Sequence, residues 1–487
     1  MGTLLEGDWQ RSLFTEGWSK TTAFDPVVEA ATGKTIAEVG KATPADIHAA
    51  VERAAQAQVG WAATSPVKRA ELLLGAVTIL DKCHAEFTEW LVREIGSTKG
   101  KAAFEIEFAR DELVNAAALP FEAQGLILPD IENRTSYATR QPYGVCGVIS
   151  PFNVPLLLGA RAVAPALAVG NAVIHKPNGT AFVCGGLLMA RVLQEAGLPD
   201  GVLQVLNGDG VGEALVVHPK VKMIHFTGST KVGRSIGEAG GRFLKRVSLS
   251  MGGKNAFIVL DDADIEAAAA AGAYGAFFFA GQSCMSPGRH IVHQAVYDRY
   301  VARIAELADK LTLGDPWIKT VDVGPMIRVR EAQRVKAWVD EAVQAGAVLH
   351  AGNKQDGPYL RPTVVTGVKS GMKLYDDETF GPVAAVVRVA DDEEAIRVAN
   401  DTPYGLAAAV MTADSARGRR LTERLHAGNV HVNDATVMDY AYVPWGGYGD
   451  SGNGGRYGRH ANWEEYTQWK WTTIREKAVV NKFAEGK

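Results

Sequence analysis

Residues 143–155 read YGVCGVISPFNVP, an apolar run of strand length that ends in a loop with two prolines and one asparagine. A run of this length, followed by turn residues, predicts a buried strand over 143–150. Predicted strands and helices then alternate as far as residue 230, beginning with a helix over 156–168 and a strand over 172–175. Such alternation is typical of a doubly wound parallel sheet, in which ligands bind at the carboxyl ends of the strands. The side chains expected at that edge are Asn153, Lys176, Thr227 and Ser229.

The second half of the chain repeats this alternation. Strands are predicted at 256–260 and 383–388, and helices such as 264–281 lie between them, which indicates a second α/β domain. The tail at residues 467–474 is rich in Thr and Trp and predicts a terminal strand. A strand at a chain end needs a partner edge, and another subunit is one candidate for it.

The composition is that of an ordinary enzyme and argues against several classes of function. Of 487 residues, 47% are hydrophobic and 22% are charged, and a chain of this length predicts two or three domains. The net charge of −4 gives no reason to expect nucleic acid or an anionic membrane as a partner. The sequence has neither an apolar run long enough to span a membrane nor the pattern of a signal peptide, so we expect a cytoplasmic protein.

The cysteines give no sign of a metal centre. They are widely spread and form neither a CxxC pair nor a Cys/His cluster, which argues against both a metal site and a disulfide framework. The four are Cys83, Cys146, Cys184 and Cys284.

One of these cysteines lies in an unusual setting. Residues 281–289 read GQSCMSPGR and follow the aromatic run 277–280, so Cys284 comes directly after a Gly-Gln-Ser turn. An ionised thiol is the most nucleophilic side chain at neutral pH and attacks carbonyl carbons. Taken alone the pattern is weak, because a single cysteine among apolar residues is more often an inert core residue.

Two glycine-rich segments invite comparison with dinucleotide-binding loops. Residues 447–452 read GYGDSG and match GxGxxG by letter, but they do not join a strand to a helix, and we reject them as a fingerprint. Residues 208–212 lie between a predicted strand and a predicted helix, but with a different glycine spacing. Any cofactor is therefore expected to be held in a non-standard way.

A set of short motifs, taken together and in order, is more specific than any of them alone. The motifs are SPFN (150–153), HKP (175–177), FTGST (226–230), MGGK (251–254), GQSC (281–284), ETFGP (378–382) and PWGG (444–447). With this spacing, the chain resembles the aldehyde dehydrogenase superfamily over residues 20–475. Within it, the chain looks most similar to bacterial benzaldehyde and vanillin dehydrogenases.

The resemblance implies an α/β fold with three parts. A discontinuous, Rossmann-type NAD(P)-binding domain would cover 1–123 and 143–250, and an α/β catalytic domain would cover 251–448. A small β arm that mediates oligomerisation would cover 124–142 and 449–487. A homodimer or homotetramer is expected.

The resemblance also implies an activity, the oxidation of an aromatic aldehyde to its carboxylic acid. Cys284 would attack the aldehyde carbon to give a thiohemiacetal and then a thioester, which water hydrolyses. The side-chain amide of Asn153 and the backbone N–H of Cys284 would stabilise the oxyanion. Candidate walls of the aldehyde pocket are Phe152, Phe278 and Trp445, although core packing explains aromatic residues equally well. Arg161 is a candidate for the substrate entrance or for a structural role.

The cofactor residues carry over in the same way. Lys176 would reach the adenosine ribose, Ser229 the pyrophosphate and Glu378 the nicotinamide ribose, while Phe380 would pack on that half of the cofactor. Gly179 stands where many NAD-preferring relatives carry a glutamate, so NADP is expected alongside NAD. The other residues placed at the cofactor are Ser150, Pro151, Phe152, Gly208, Gly212, Phe226, Thr227 and Gly228.

One position departs from the family. Ser250, 34 residues before Cys284, stands where the family's general base is normally a glutamate. A hydroxyl orients a water molecule but does not accept its proton near neutral pH. The regular flanking motif favours a chain altered to slow deacylation over a natural enzyme that uses another base or solvent alone. The departure also keeps two other functions open, a structural or binding relative and an enzyme that passes its acyl group to coenzyme A.

Overall fold

The computed structural model describes residues 3–130, 133–455 and 457–478. Its first part consists of antiparallel strand pairs followed by helices and the first strands of a small sheet. The bounds are β1 (Ser12–Phe14), β2 (Trp18–Lys20), β3 (Phe24–Val28), β4 (Thr35–Gly40), α1 (Pro44–Ala63), α2 (Pro66–Lys82), α3 (His84–Ile95), α4 (Lys99–Ala118), β5 (Gly125–Leu128) and β6 (Thr135–Pro142). Helix α1 begins at Pro44 because Thr43 and Asp46 form a reciprocal capping box.

The first large sheet has the strand order β11-β10-β7-β8-β9-β1-β2. Strands β7 to β11 run parallel, and β1 pairs antiparallel to β9. The elements are β7 (Val145–Ile149), α5 (Pro155–Ala168), β8 (Ala172–Lys176), a π-helical turn (Val183–Leu187), α6 (Leu188–Glu195), β9 (Leu203–Val205), α7 (Val211–Val217), β10 (Val221–Thr227), α8 (Thr230–Arg242) and β11 (Arg246–Ser250). The predicted doubly wound alternation is thus confirmed. Strand β11 carries Ser250 and was not predicted.

The register of this sheet brings several chain segments to one edge. Ile149 pairs with Lys176 and with Phe226, and Thr227 pairs with Ser250, so the carboxyl ends of four parallel strands lie side by side. Strand β7 is buried throughout. Gly147 lacks room for a side chain, because a Cβ there would lie 2.8 Å from the Ile224 side chain.

The second large sheet has the strand order β14-β17-β18-β13-β12-β20-β21, parallel except for β14. Its segment contains β12 (Asn255–Val259), α9 (Ile265–Phe277), β13 (Pro287–His293), α10 (Tyr297–Lys310), α11 (Val329–Gln344), β14 (Val348–Ala351), β15 (Gln355–Asp356), β16 (Tyr359–Leu360), β17 (Thr363–Thr366), α12 (Lys373–Asp376), β18 (Val383–Val389), α13 (Asp392–Asn400), β19 (Tyr404–Gly405), β20 (Ala407–Met411), α14 (Ser415–Thr422), β21 (Asn429–Val432) and β22 (Tyr448–Gly449). The predicted second α/β region is confirmed, but the predicted helix over 264–281 is too long. It ends at Phe277, and a 3-10 turn over Phe278–Gly281 follows.

The tail forms α15 (Arg459–Tyr466) and the predicted strand, β23 (Thr467–Ile474). The partner edge of β23 lies in its own chain, because β23 pairs antiparallel with β6, which pairs with β5. Several large apolar side chains of this small sheet are exposed, including Ile127 at 94%.

The domain boundaries stay a prediction. Within that prediction, residues 1–2, 131–132, 456 and 479–487 lie outside the described part of the chain. No helix among the described residues has the length and hydropathy needed to cross a membrane.

Candidate active site

A cavity of about 540 Å³ lies at the carboxyl ends of β7, β8 and β10. It is bounded by strand ends of the first large sheet, by α8 and α11, and by loops from both halves of the chain. Of the residues singled out in the sequence, it is lined by Ser150, Pro151, Phe152, Asn153, Lys176, Phe226, Thr227, Gly228, Ser229, Cys284, Glu378 and Phe380. One space therefore contains both the thiol and the side-chain amide of the predicted catalytic pair.

A second cavity of about 550 Å³ adjoins the first. The two share Ile149, Lys176 and Val232, and the second extends to Gly208 and Gly212. Together they form a long slot with a lysine at its middle and a nucleophile near one end. A slot of this kind suits an extended dinucleotide.

The chain approaches Cys284 through a strained turn. Phe279 and Ala280 have positive φ angles of 48° and 52°, and Gly281 follows at 66°. A Cβ at Gly281 would overlap with the carbonyl oxygen of Gly381, so only glycine fits there. Strain of this kind persists only where the surrounding structure holds it, and it is frequent at catalytic sites. The turn ends α9 and brings Cys284 to the cavity.

The environment of Cys284 keeps its thiol protonated in the cofactor-free protein. Burial raises the pKa of Cys284 to about 12, and the negative charges of Glu378 and Asp439 act in the same direction. The positive charge of Arg161 opposes them. Only a small fraction of the thiol is therefore ionised, and able to act as a nucleophile, at neutral pH in the cofactor-free protein.

The backbone of Asn153 is hydrogen-bonded to a buried ion pair that was not predicted from the sequence. Lys101 Nζ donates to the Asn153 carbonyl oxygen at 2.9 Å and is paired with Glu105. Glu105 Oε1 in turn accepts from the Leu156 N–H at 2.8 Å, at the start of α5. Lys101 also lies 4.3 Å from the centre of the Phe279 ring, in the strained turn. The spacing of Lys101 and Glu105 on one helix was the available signal, but their partners come from distant segments.

Ser250 is turned towards an aromatic residue of the tail. It ends β11, and its carbonyl oxygen accepts from the Gly228 N–H at 3.1 Å. The side chains of Ser250 and Thr227 both hydrogen-bond with the Tyr457 hydroxyl, whose pKa is raised by burial. Ser250 is thus part of a hydroxyl network, and this network contains no carboxylate.

Glu378 brings a carboxylate to the cavity wall. Its Oε1 accepts from the Gly253 N–H at 3.3 Å, and its Oε2 occupies the space that a Cβ of Gly252 would need. Burial raises the pKa of Glu378 to about 7, opposed by the Gly253 hydrogen bond and by the positive charges of Lys254 and Arg334. This carboxyl group therefore changes its charge near neutral pH.

The start of α8 is suited to an anion. Ser229 occupies the N-cap position and lines the cavity, and its side chain makes no capping hydrogen bond within the helix. Gly228 precedes it, and a Cβ there would lie 2.6 Å from the Phe226 ring. A helix N-terminus with room beside it favours phosphate groups.

The far end of the slot carries more charge than the sequence suggested. Gly179 is exposed, but Asp209 and Glu213 line the second cavity beside Lys176. Burial lowers the pKa of Lys176, and these two carboxylates oppose that shift. Two acidic side chains, from the loop after β9 and from α7, therefore lie beside Lys176 in the second cavity.

Arg161 and the aromatic residues predicted to line the aldehyde pocket lie in different parts of the structure. Arg161 is only 3% exposed and pairs with Glu112 and Asp439, each at 2.6 Å, so it lies in the interior rather than at an exposed entrance. Trp445 donates to Asp439 and packs in one cluster with Cys284. Phe152 lines the cavity, whereas Phe278 packs against Phe104 and Tyr274.

Comparison with known proteins adds to this geometry. The model of the aldehyde dehydrogenase family matches residues 18–472. The chain is 46% identical over 478 residues to a vanillin dehydrogenase of an Amycolatopsis species, covering 98% of both chains. It is 42% identical over 472 residues to a benzaldehyde dehydrogenase (NAD+) of Pseudomonas putida, covering 96% of this chain and 97% of that one.

Two solved structures have nearly the same fold. A salicylaldehyde dehydrogenase from Pseudomonas putida G7, complexed with salicylaldehyde, superposes with a TM-score of 0.93 and 34% identity, covering 97% of this chain and 99% of that one. A betaine aldehyde dehydrogenase from Staphylococcus aureus, in complex with NAD+, gives a TM-score of 0.94 and 26% identity, covering 98% of this chain and 97% of that one.

Proposed function

This chain belongs to the aldehyde dehydrogenase family, and we propose that it oxidises an aromatic aldehyde of the benzaldehyde or vanillin type to the carboxylic acid. The observation that carries the proposal is the single cavity lined by Cys284 and Asn153, which continues past Lys176. Relatives named for vanillin, benzaldehyde and salicylaldehyde support the aromatic class.

The cofactor is NAD or NADP, which supplies a hydride acceptor when it is bound. The residues that would hold it fit a dinucleotide. Lys176 lies at the join of the two cavities, Ser229 lies at the start of α8, and Glu378 and Phe380 lie on the wall near Cys284.

Cys284 and Asn153 have different roles at the aldehyde, as nucleophile and as hydrogen-bond donor. The Cys284 sulfur bonds to the carbonyl carbon and forms a thiohemiacetal, and the carbonyl oxygen gains negative charge. The Asn153 side-chain amide and the Cys284 N–H are the donors proposed for that oxygen. After oxidation, the acyl group remains on sulfur as a thioester until water removes it.

We further propose that removal of the acyl group is slow. Ser250 and its partner Tyr457 are hydroxyl groups, and neither accepts a proton from water near neutral pH. Replacing Ser250 with glutamate is expected to speed steady-state turnover. Unchanged turnover would contradict this part of the proposal.

The rival functions rest on the same residue. Ser250 favours a catalytically weakened structural or binding relative, whereas the shared cavity of Cys284, Asn153 and Glu378 favours an enzyme. Transfer of the acyl group to coenzyme A would show as a turnover rate that rises with added coenzyme A.

The proposal is tested by stopped-flow measurement of reduced cofactor with benzaldehyde or vanillin, with the intact mass of the protein taken in parallel. A burst near one equivalent, followed by slow turnover and an acyl adduct on Cys284, is expected. If neither a burst nor an adduct is observed with either cofactor, the substrate class or the enzymatic function is rejected.

The oligomeric state and location are proposals as well. The exposed apolar side chains of β5 and β23, including Ile127 and Trp471, suit burial against a second copy of the chain, as a homodimer or homotetramer. Cytoplasmic location stays a prediction.

A further inference from the structure

The position normally occupied by the general base carries Ser250, so the water that releases the acyl group needs another proton acceptor. Such a group must lie within reach of the thioester, directly or through one water molecule, and it must be basic near neutral pH. Four ionisable side chains at or next to this end of the cavity are candidates, namely Glu378, Glu331, Asp439 and Lys254.

Glu378 has the geometry for this role. It lines the same cavity as Cys284, and both residues lie next to Gly253. The Gly253 N–H donates to Glu378 Oε1 at 3.3 Å, and a Cβ on Gly253 would lie 3.1 Å from the Cys284 carbonyl oxygen. A single glycine therefore separates the carboxylate from the backbone of the nucleophile.

The other candidates are committed elsewhere. Glu331 lines the cavity but is paired with Arg334 at 2.9 Å and with Arg330 at 3.3 Å. Asp439 is paired with Arg161 at 2.6 Å and accepts from Trp445 Nε1 at 2.8 Å. Lys254 Nζ donates to the carbonyl oxygens of Leu374 and Asp377, at 2.9 and 2.7 Å. It therefore acts as a hydrogen-bond donor to the backbone.

We propose that Glu378 is the general base for hydrolysis of the acyl group on Cys284, a role that rests on the proposed function and extends it. The water oxygen bonds to the thioester carbon as its proton passes to the Glu378 carboxylate. The C–S bond then breaks and its electron pair goes to sulfur. Glu378 returns the proton to sulfur, so the products are the carboxylic acid and the free thiol.

The charges around Glu378 agree with this direction of proton transfer. Burial raises the pKa of Glu378 to about 7 and that of Cys284 to about 12, so the departing sulfur holds the proton more tightly than the carboxylate does. Each turnover thus restores the ionised base. The titratable and charged groups that face Glu378 are Lys254, Cys284, Glu331, Arg334 and Tyr404.

The test loads the acyl group without any cofactor. The ester 4-nitrophenyl benzoate transfers its benzoyl group to a thiolate and releases 4-nitrophenolate. Loading at about pH 9, where more of the Cys284 thiol is ionised, and in a Cys83→Ser background, forms the same thioester on Cys284. After removal of excess ester, the loss of the benzoyl mass is followed by intact-protein mass spectrometry from about pH 5 to pH 9. The variants are Glu378→Gln and, as a control, Asp377→Asn, which removes the neighbouring exposed carboxylate.

The unsubstituted chain is expected to lose its benzoyl group faster as pH rises, with an inflection near the Glu378 pKa of about 7. Glu378→Gln should abolish that inflection and slow the loss at pH 7 by about 10²-fold or more, and Asp377→Asn should change neither. In a Ser250→Glu background, which restores a base, Glu378→Gln should slow benzoyl release much less than it does alone. A structural effect alone would not remove the inflection.

Several results would overturn the inference. One is a rate and an inflection in Glu378→Gln that match those of the unsubstituted chain. Another is a decrease in the rate of benzoyl release in Asp377→Asn as large as that in Glu378→Gln. If Glu378→Gln gives no nitrophenolate burst because it folds poorly, Glu378→Ala replaces it, and an Ala variant that keeps both the rate and the inflection also overturns the role. Absence of a burst and adduct in every variant, including the unsubstituted chain, rejects the nucleophilic role of Cys284 and hence the proposed function itself.

Discussion

The Cys284 thiol is expected to react slowly with iodoacetamide in the cofactor-free protein. A pKa of about 12 leaves about 10⁻⁵ of the thiol ionised at pH 7, against about 3% for an unperturbed cysteine. Ionisation alone therefore slows the reaction about 3,000-fold. A more basic thiolate is also more nucleophilic, and a Brønsted slope of about 0.45 returns about 40-fold of this loss. Cys284 should thus react about 10²-fold more slowly than a free cysteine at pH 7.

The assay follows the added mass on the intact protein as a function of pH. Cys146 and Cys184 are fully buried, and Cys83 is partly exposed, so a Cys83→Ser background isolates Cys284. The rate should rise about tenfold per pH unit up to about pH 10 without a plateau. Glu378→Gln should raise the rate above pH 7, because it removes a negative charge that disfavours the thiolate. A plateau below pH 9, or a rate equal to that of free cysteine, would refute the desolvation argument.

Four other changes test separate parts of the structure. Asn153→Ala should lower kcat/KM for the aldehyde about 10²- to 10³-fold in steady-state assays, with the urea midpoint unchanged. Lys101→Met should lower the free energy of unfolding in urea by about 3 to 5 kcal/mol by leaving Glu105 buried without its partner, and adding Glu105→Gln should restore part of it. Glu213→Gln should raise kcat/KM with NADP relative to NAD, because it removes a charge that repels a 2′-phosphate; an unchanged ratio would contradict this. Ile127→Asp should lower the mass measured by light scattering if the β arm forms the interface, and an unchanged oligomer would place the interface elsewhere.

The part of the fold built from local patterns could be predicted from the sequence. Strand β7 is a continuous apolar run, and the loop after it contains Asn153, so both the strand and its functional end were recognisable. Lys176 and Thr227 end their strands in the same way. Parallel pairing then brings these ends together, which requires no knowledge of distant contacts.

What the sequence did not reveal depends on contacts between distant segments. The pairing of Lys101 with the Asn153 carbonyl joins residues 52 positions apart. The approach of Glu213 to Lys176 in the second cavity and the hydrogen bond between Ser250 and Tyr457 are of the same kind. The terminal strand was predicted, but its sequence did not identify its partner, β6, because any strand with a free edge could pair with it.

The positive φ angles at Phe279 and Ala280 give no sequence signal, because both residue types ordinarily avoid that conformation. This turn limits how the protein can be made more heat-stable. Substitutions that relax residues 279–281 would be recovered readily in a screen for thermal tolerance, because they remove an unfavourable backbone conformation. They would also let the chain settle away from the cavity and withdraw Cys284 from its substrate. Selection for stability should therefore favour substitutions at these three positions, and selection for turnover should remove them. In variants evolved for heat tolerance alone, we expect substitutions at these positions to be an early cause of lost activity.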